Sequence, residues 1–221
     1  MSHRHLLILL GVVLVGLGLG ERGWFFIAVW LGCNFFILGI AHERGSHHVF
    51  GKRANGTLPW WSWVLFFPLL IYTTTVWHLI RLFSREPARS VVTQQLIVGR
   101  RLLSFEFDGE FDNIVDLTAE FSEPRAIRNS PAYLSFPILD GTAPTPEAMY
   151  AAVVSLRPGR TYVHCAQGHG RTGLFTLAVL LTSGVARSVE DGMRILSAVR
   201  PAIRLSREQN KCIQKYAQNM S

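Results

Sequence analysis

Two apolar runs, Thr161-Tyr162-Val163 and Leu174 to Leu181, flank ten residues: His164-Cys165-Ala166-Gln167-Gly168-His169-Gly170-Arg171-Thr172-Gly173. That order predicts a strand, a tight glycine-bearing loop and a helix, so this part of the chain is of the α/β class. A loop of this length can curl around one tetrahedral anion. The backbone amides of Ala166, Gln167, Gly168, His169 and Gly170 turn inward, and the helix N-terminus adds partial positive charge, which makes phosphate the natural occupant. The same field favours the thiolate form of Cys165 and so supplies a nucleophile. Arg171 closes the loop with a planar fork able to hold two phosphoryl oxygens, a geometry that lysine cannot reproduce. The hydroxyl of Thr172, one residue on, is placed to donate to the sulfur as it departs. His164 is expected to support the loop from behind rather than to act as an acid or base.

This run resembles the signature of the cysteine-dependent phosphatases, His-Cys-x5-Arg-Ser/Thr, and specifically their compact dual-specificity branch. Flanking segments extend the resemblance from about residue 90 to 221 in the same order along the chain. Gln95 to Arg100 resembles the opening strand, and Ile114 to Thr118 a later strand. Phe136-Pro137-Ile138-Leu139-Asp140-Gly141 resembles the general-acid loop, and Val199-Arg200-Pro201, with Gln209 and Tyr216, the closing helices. The resemblance implies a central, mostly parallel sheet flanked by helices and hydrolysis in two steps through a phosphocysteine intermediate, without cofactor or metal. It makes Asp140, on a turn-rich segment 25 residues before the cysteine, the general acid. Asp116 lies within an apolar strand, Glu123 in a distant loop, Glu147 at a helix start, and Asp108, Glu110 and Asp112 in a solvated turn, so each fits that role less well. His169 occupies a mid-loop position that is lysine or arginine in some lipid-directed relatives.

Residues 1–83 are of a different kind. Apolar stretches run from Leu6 to Leu19, Trp24 to Ala41 and Trp60 to Phe83 in a chain that is 49% apolar. Their lengths suggest an α-helical membrane region of two or three transmembrane helices, with Trp60, Trp61 and Trp63 as an interfacial belt. A hairpin turning at Gly20-Glu21-Arg22-Gly23 is preferred for the first two, although Arg4 followed by an apolar run and small residues also resembles a signal peptide. Flanking charges tie and do not orient the spans. The reducing chemistry that a thiolate needs argues for a cytoplasmic catalytic domain on an integral membrane protein. The polar stretch 84–90 then reads as a linker and residues 91–221 as the catalytic domain.

The remaining residues mainly exclude functions. A formal charge of +7 comes without a basic run interleaved with aromatics, so nucleic acid is not an expected partner. Cys33, Cys165 and Cys212 show neither metal spacing nor a disulfide framework. Cys212 is either core or a resolving thiol for Cys165. His42, His47 and His48 share a loop without a thiolate or carboxylate at ligand spacing. The expected activity is a membrane-tethered phosphatase acting on phosphorylated protein side chains. The alternatives are a lipid phosphatase acting on phosphoinositide or phosphatidylglycerophosphate, and a phosphate-binding module that does not turn its ligand over.

Overall fold

The computed structural model describes residues 3–20 and 26–220. The chain divides into two compact units, one formed by Met1–Lys52 with Leu58–Ser84, the other by Arg53–Thr57 with Arg85–Ser221.

The first unit is helical. Helices α1 (His3–Gly20) and α2 (Phe26–Arg44) pack against each other, followed by α3 (Trp60–Leu65) and α4 (Phe67–Phe83). Glycines bring the backbones of α1 and α2 into contact: a Cβ at Gly11 would lie 2.7 Å from the carbonyl oxygen of Gly32, and one at Gly32 2.8 Å from that of Gly11. Arg4 pairs with Glu43 at the open end of this antiparallel pair. Between α3 and α4 the helix breaks at Phe66, just before Pro68, which has no N–H to continue the ladder. The Leu65 carbonyl at the break accepts hydrogen bonds from Trp30 Nε1 and Asn34 Nδ2 of α2, at 2.8 and 2.9 Å.

This arrangement corrects the expectation of transmembrane helices. Among the described residues no helix is long and apolar enough to cross a membrane. A crossing takes about 20 predominantly apolar residues. The 18 residues of α1 begin His3-Arg4-His5, and the 19 of α2 end His42-Glu43-Arg44. The third stretch, continuous by composition, is divided into helices of 6 and 17 residues, and the second contains His78 and Arg81. The transmembrane region and the integral-membrane placement are therefore set aside. Of the turn expected at Gly20 to Gly23, residues 21–23 lie outside the described residues.

The second unit is the α/β half. Five strands, β1 (Arg89–Val91), β2 (Leu96–Arg100), β3 (Asn113–Thr118), β4 (Tyr133–Ile138) and β5 (Thr161–Cys165), form a sheet in the order β1-β2-β5-β3-β4. Only β1 runs antiparallel; β2, β5, β3 and β4 are mutually parallel. Every residue of β3 and β5 is buried, as expected for central parallel strands covered on both faces. Alternation along the strands divides the core. Val98, Val115, Val163 and Cys165 face one cluster, and Ile97, Ile114 and Tyr162 the other.

The first face is covered by helices. Helix α7 (Gly170–Thr182) lies between α6 (Pro146–Val154), α8 (Val189–Val199) and α9 (Arg207–Met220). Leu174, Phe175, Leu177 and Ala178 of α7 are all fully buried, so this helix is apolar on nearly every side. The surface helices are instead amphipathic: α9 buries Gln209, Cys212, Ile213 and Tyr216, the i, i+3, i+4, i+7 stripe of a single face. Local chemistry sets the helix starts. Thr145 and Ser188 accept hydrogen bonds from the amides of Ala148 and Asp191 at the first turns of α6 and α8. The remaining helix of this half, α5 (Arg125–Arg128), is one turn between β3 and β4.

Candidate active site

Strand β5 ends at Cys165, whose residue is 4% exposed, and α7 begins five residues later at Gly170. The connecting loop is shaped from outside. Arg200, at the C-terminal end of α8 and itself 2% exposed, donates from Nη2 to the Gln167 carbonyl at 2.9 Å and from Nε to the Gly168 carbonyl at 2.8 Å. The Arg101 amide donates to the Ala166 carbonyl at 3.2 Å. In a planar trans peptide the next residue's N–H points opposite to the carbonyl. Three consecutive carbonyls held outward therefore turn the amides of Gln167, Gly168 and His169 the other way, which makes an anion cradle. Gly168 sits at φ 76°, and a Cβ there would lie 2.4 Å from the Gly99 backbone of β2, so conformation and space both require glycine.

Arg171, in the first turn of α7, is 2% exposed and tightly held. Its Nη1 and Nη2 donate to the two carboxylate oxygens of Glu120 at 2.8 and 2.7 Å, and Nη1 also donates to the Ile138 carbonyl at 3.0 Å. Burial alone would lower its pKa, but the carboxylates of Glu120 and Asp140, with Cys165, hold it well above the usual value. The fork predicted to face phosphate is thus spent on Glu120. Two of the five guanidinium hydrogens, on Nε and on Nη2, remain along one edge. Nε makes no hydrogen bond among the described residues. Asp140 Oδ1 stands 3.2 Å from it.

Asp140 follows β4 in a turn with Gly141 at φ 75°, and its side chain is 80% exposed. The structure therefore brings Cys165, Arg171 and Asp140 to one end of the sheet. Thr172 Oγ1 is buried without a hydrogen-bond partner among the described residues, so the predicted contact from this hydroxyl to the sulfur is not made.

His164 points to the opposite face of β5 from Cys165, stacked on Tyr162. Its Nε2 lies 4.0 Å from Glu123 Oε1, and Glu123 Oε2 accepts from Arg101 Nε at 3.1 Å. Asp116 adjoins them: its oxygens accept from the amide and hydroxyl of Thr118 and from the Tyr133 phenol at 2.6 Å. Burial, then Asp116, pushes the Tyr133 phenol far above its ordinary pKa and keeps it a donor. Asp116, Glu123 and His164 are the described side chains close enough to share a metal ion, but Asp116 and Glu123 already serve hydrogen bonds and an ion pair. The group reads as a buried polar network. Among the described residues the histidines of the His42 to His48 loop do not form such a group. Residues 53–57 close over this network: the Glu123 amide donates to the Gly56 carbonyl at 2.8 Å, and a Cβ on Gly56 would collide with the Tyr133 hydroxyl.

His169 stands at the N-cap of α7 but makes no side-chain cap hydrogen bond. Its Nε2 lies 2.7 Å from a carboxylate oxygen of Glu86, the same oxygen that meets Arg200 Nη2 at 3.2 Å. Arg200 also donates to the Pro87 carbonyl and to Ser90 Oγ, so the stretch expected to be a linker is fastened beneath the loop. Cys212 is buried, and its thiol donates to the Pro144 carbonyl at 3.2 Å. Burial, with Glu147 nearby, pushes its pKa up to about 11, which keeps it a protonated core thiol at neutral pH.

Sequence reasoning did not bring Glu120 or Glu86 to the loop, named Arg200 only within the closing helices, and placed Glu123 in a distant loop. Glu120 lay within reach, because Thr118-Ala119-Glu120 leaves β3 at the carboxyl edge of the sheet, where ligands of open α/β folds gather.

Residues 109–219, half of the chain, match the family described as Swiss Army Knife protein, DSP-PTPase phosphatase domain. The chain belongs to that family. It therefore carries a phosphatase domain of the dual-specificity type. Among solved structures it is similar to Tk-PTP in its active form, at 22% identity and a TM-score of 0.54, covering 60% of this chain and 97% of that one. It is also similar to human DUSP28, at 20% and 0.51 over 61% and 96% of the two chains. PTPMT1 in complex with PI(5)P is similar at 15% and 0.52, over 61% and 97%. At these identities the likeness is one of fold. No curated protein matches the chain.

Proposed function

We propose that this protein hydrolyses phosphate monoesters of phosphorylated protein side chains through a phosphocysteine intermediate. The Cys165 thiolate attacks phosphorus, the bond to the leaving oxygen breaks, and Asp140 protonates that oxygen. Asp140, now a carboxylate, takes a proton from water as the water attacks phosphorus. The sulfur–phosphorus bond breaks, returning the thiolate and releasing inorganic phosphate. Loop amides and Arg171 hold the phosphoryl oxygens throughout.

The observation that carries this reading is the Nε edge of Arg171, which among the described residues makes no hydrogen bond and carries only an ion pair with Asp140 Oδ1 at 3.2 Å. A guanidinium 2% exposed keeps Nε without a hydrogen bond while Glu120 fixes its far side, and Cys165 and Asp140 are the reactive groups beside it. A buried donor left unmade is costly. An oxyanion bound between Nε and Nη2 removes that cost. The carboxylate of Glu86 beside the loop supports a protein side chain over a polyanionic lipid headgroup.

The test is hydrolysis of an aryl phosphate by the purified chain. Activity inhibited by vanadate and lost in Cys165→Ser is expected, whereas activity that survives the substitution overturns the mechanism. Binding of vanadate without turnover would favour the phosphate-binding module. Phosphate release from phosphotyrosyl and phosphothreonyl peptides, compared with phosphoinositide and phosphatidylglycerophosphate, decides the substrate class.

A further inference from the structure

We infer that Glu86 is a specificity-determining residue that restricts the site to singly phosphorylated groups, an inference that rests on the phosphatase reading above. Glu86 precedes β1 and reaches the loop from outside. One of its oxygens bridges His169 Nε2 and Arg200 Nη2. Arg200 cannot follow a moving partner, because its remaining donors are fixed on the Gln167, Gly168 and Pro87 carbonyls. The carboxylate is thus a fixed negative charge on the flank of the cradle.

Two consequences follow for a substrate. Phosphate in the cradle meets the loop amides and Arg171, while Glu86 meets His169 and Arg200. A second phosphate next to the first would extend over the mid-loop residue, His169, which is the side chain positioned to receive it. There Nε2 is already engaged by Glu86, so a second phosphate has to compete with a carboxylate that is ion-paired to both His169 and Arg200, which costs affinity. Glu86 is 32% exposed at its side chain, so this competition is partly screened by solvent and is sensitive to salt.

The experiment measures kcat/KM of the full chain for a soluble inositol monophosphate and for an inositol bearing two vicinal phosphates. Glu86→Gln is expected to raise the ratio of diphosphate to monophosphate about fivefold, and Glu86→Ala, which also frees the imidazole, about tenfold. In the unchanged protein about 0.5 M salt should narrow the discrimination. Glu208→Gln, the same charge change on an exposed residue of α9, should leave the ratio where it is. A second readout does not need turnover: calorimetric binding of pyrophosphate against orthophosphate should shift toward pyrophosphate in both Glu86 variants. Unchanged ratios in both assays overturn the inference. An inactive chain whose binding ratio still shifts would sink the phosphatase reading and leave the role of Glu86 standing.

Discussion

The two units use apolar residues in opposite ways. In the α/β unit they are inside: Val98, Val163, Leu174 and Ile213 are fully buried. In the helical unit Leu9 is 50% exposed, Leu17 59%, Trp60 75% and Phe83 78%. Composition alone ranks the helical unit as the more apolar, yet the α/β unit has the larger closed core. The difference is one of pattern. Strands that alternate and helices such as α9 that carry a single stripe specify which side is inward. Helices apolar all round specify a helix but no face, and α1 and α2 are joined instead by glycines that let their backbones touch.

The strongest way to break the contrast is to alter a side chain on which the α/β unit depends. Arg171→Lys keeps the charge but loses the paired contacts with Glu120 and the Nε edge, so kcat/KM for an aryl phosphate should fall about 10²- to 10³-fold, read by steady-state kinetics. Asp140→Asn should reduce kcat about 10²-fold, more for alkyl than for aryl leaving groups. Because the Asp140 side chain is 80% exposed, the melting temperature of this variant should stay unchanged. An equal loss for both leaving groups would remove Asp140 from proton transfer.

Cys212 sharpens the comparison through pH. Its pKa, raised to about 11 in the folded chain, means that the native state holds the thiol proton more tightly than the unfolded state. Stability from this group is complete below the unfolded pKa near 9 and falls as pH rises toward 11, by roughly 1 to 2 kcal/mol once partial screening by solvent is allowed for. The drop in urea midpoint between about pH 8 and pH 10.5, under reducing conditions, should therefore be smaller in Cys212→Ala than in the unchanged chain. The smallest effect on catalysis belongs to the helical unit. Gly32→Val places carbon where the Gly11 carbonyl lies and should loosen α1 from α2 by about 1–3 kcal/mol, seen as faster amide exchange in both helices. Hydrolysis of the aryl phosphate should change less than about twofold; a larger loss would show that the units are energetically coupled.

What the sequence revealed of the site follows the same division. That Cys165 and Arg171 lie together was legible because both belong to one short loop, and β2, β3 and α7 were legible because their apolar patterns are local. Partners brought in by the fold were not. Glu120 meets Arg171 across 51 residues, Arg200 meets the loop across 33, and Glu86 meets His169 across 83. No spacing rule spans such gaps. The transmembrane expectation failed for a related reason: counting apolar residues from Trp60 to Phe83 registers their length and misses the break at Phe66, which depends on Pro68 and on hydrogen-bond partners from α2.

Residues 53–57 come from the middle of the helical half of the sequence, yet Gly56 covers the Tyr133 ring and satisfies the Glu123 amide behind β5. The phosphatase is therefore not a segment that can be cut out at residue 85. A truncation made there would strip the cover from the face of β5 opposite Cys165, opening Asp116, Glu123 and His164 to water.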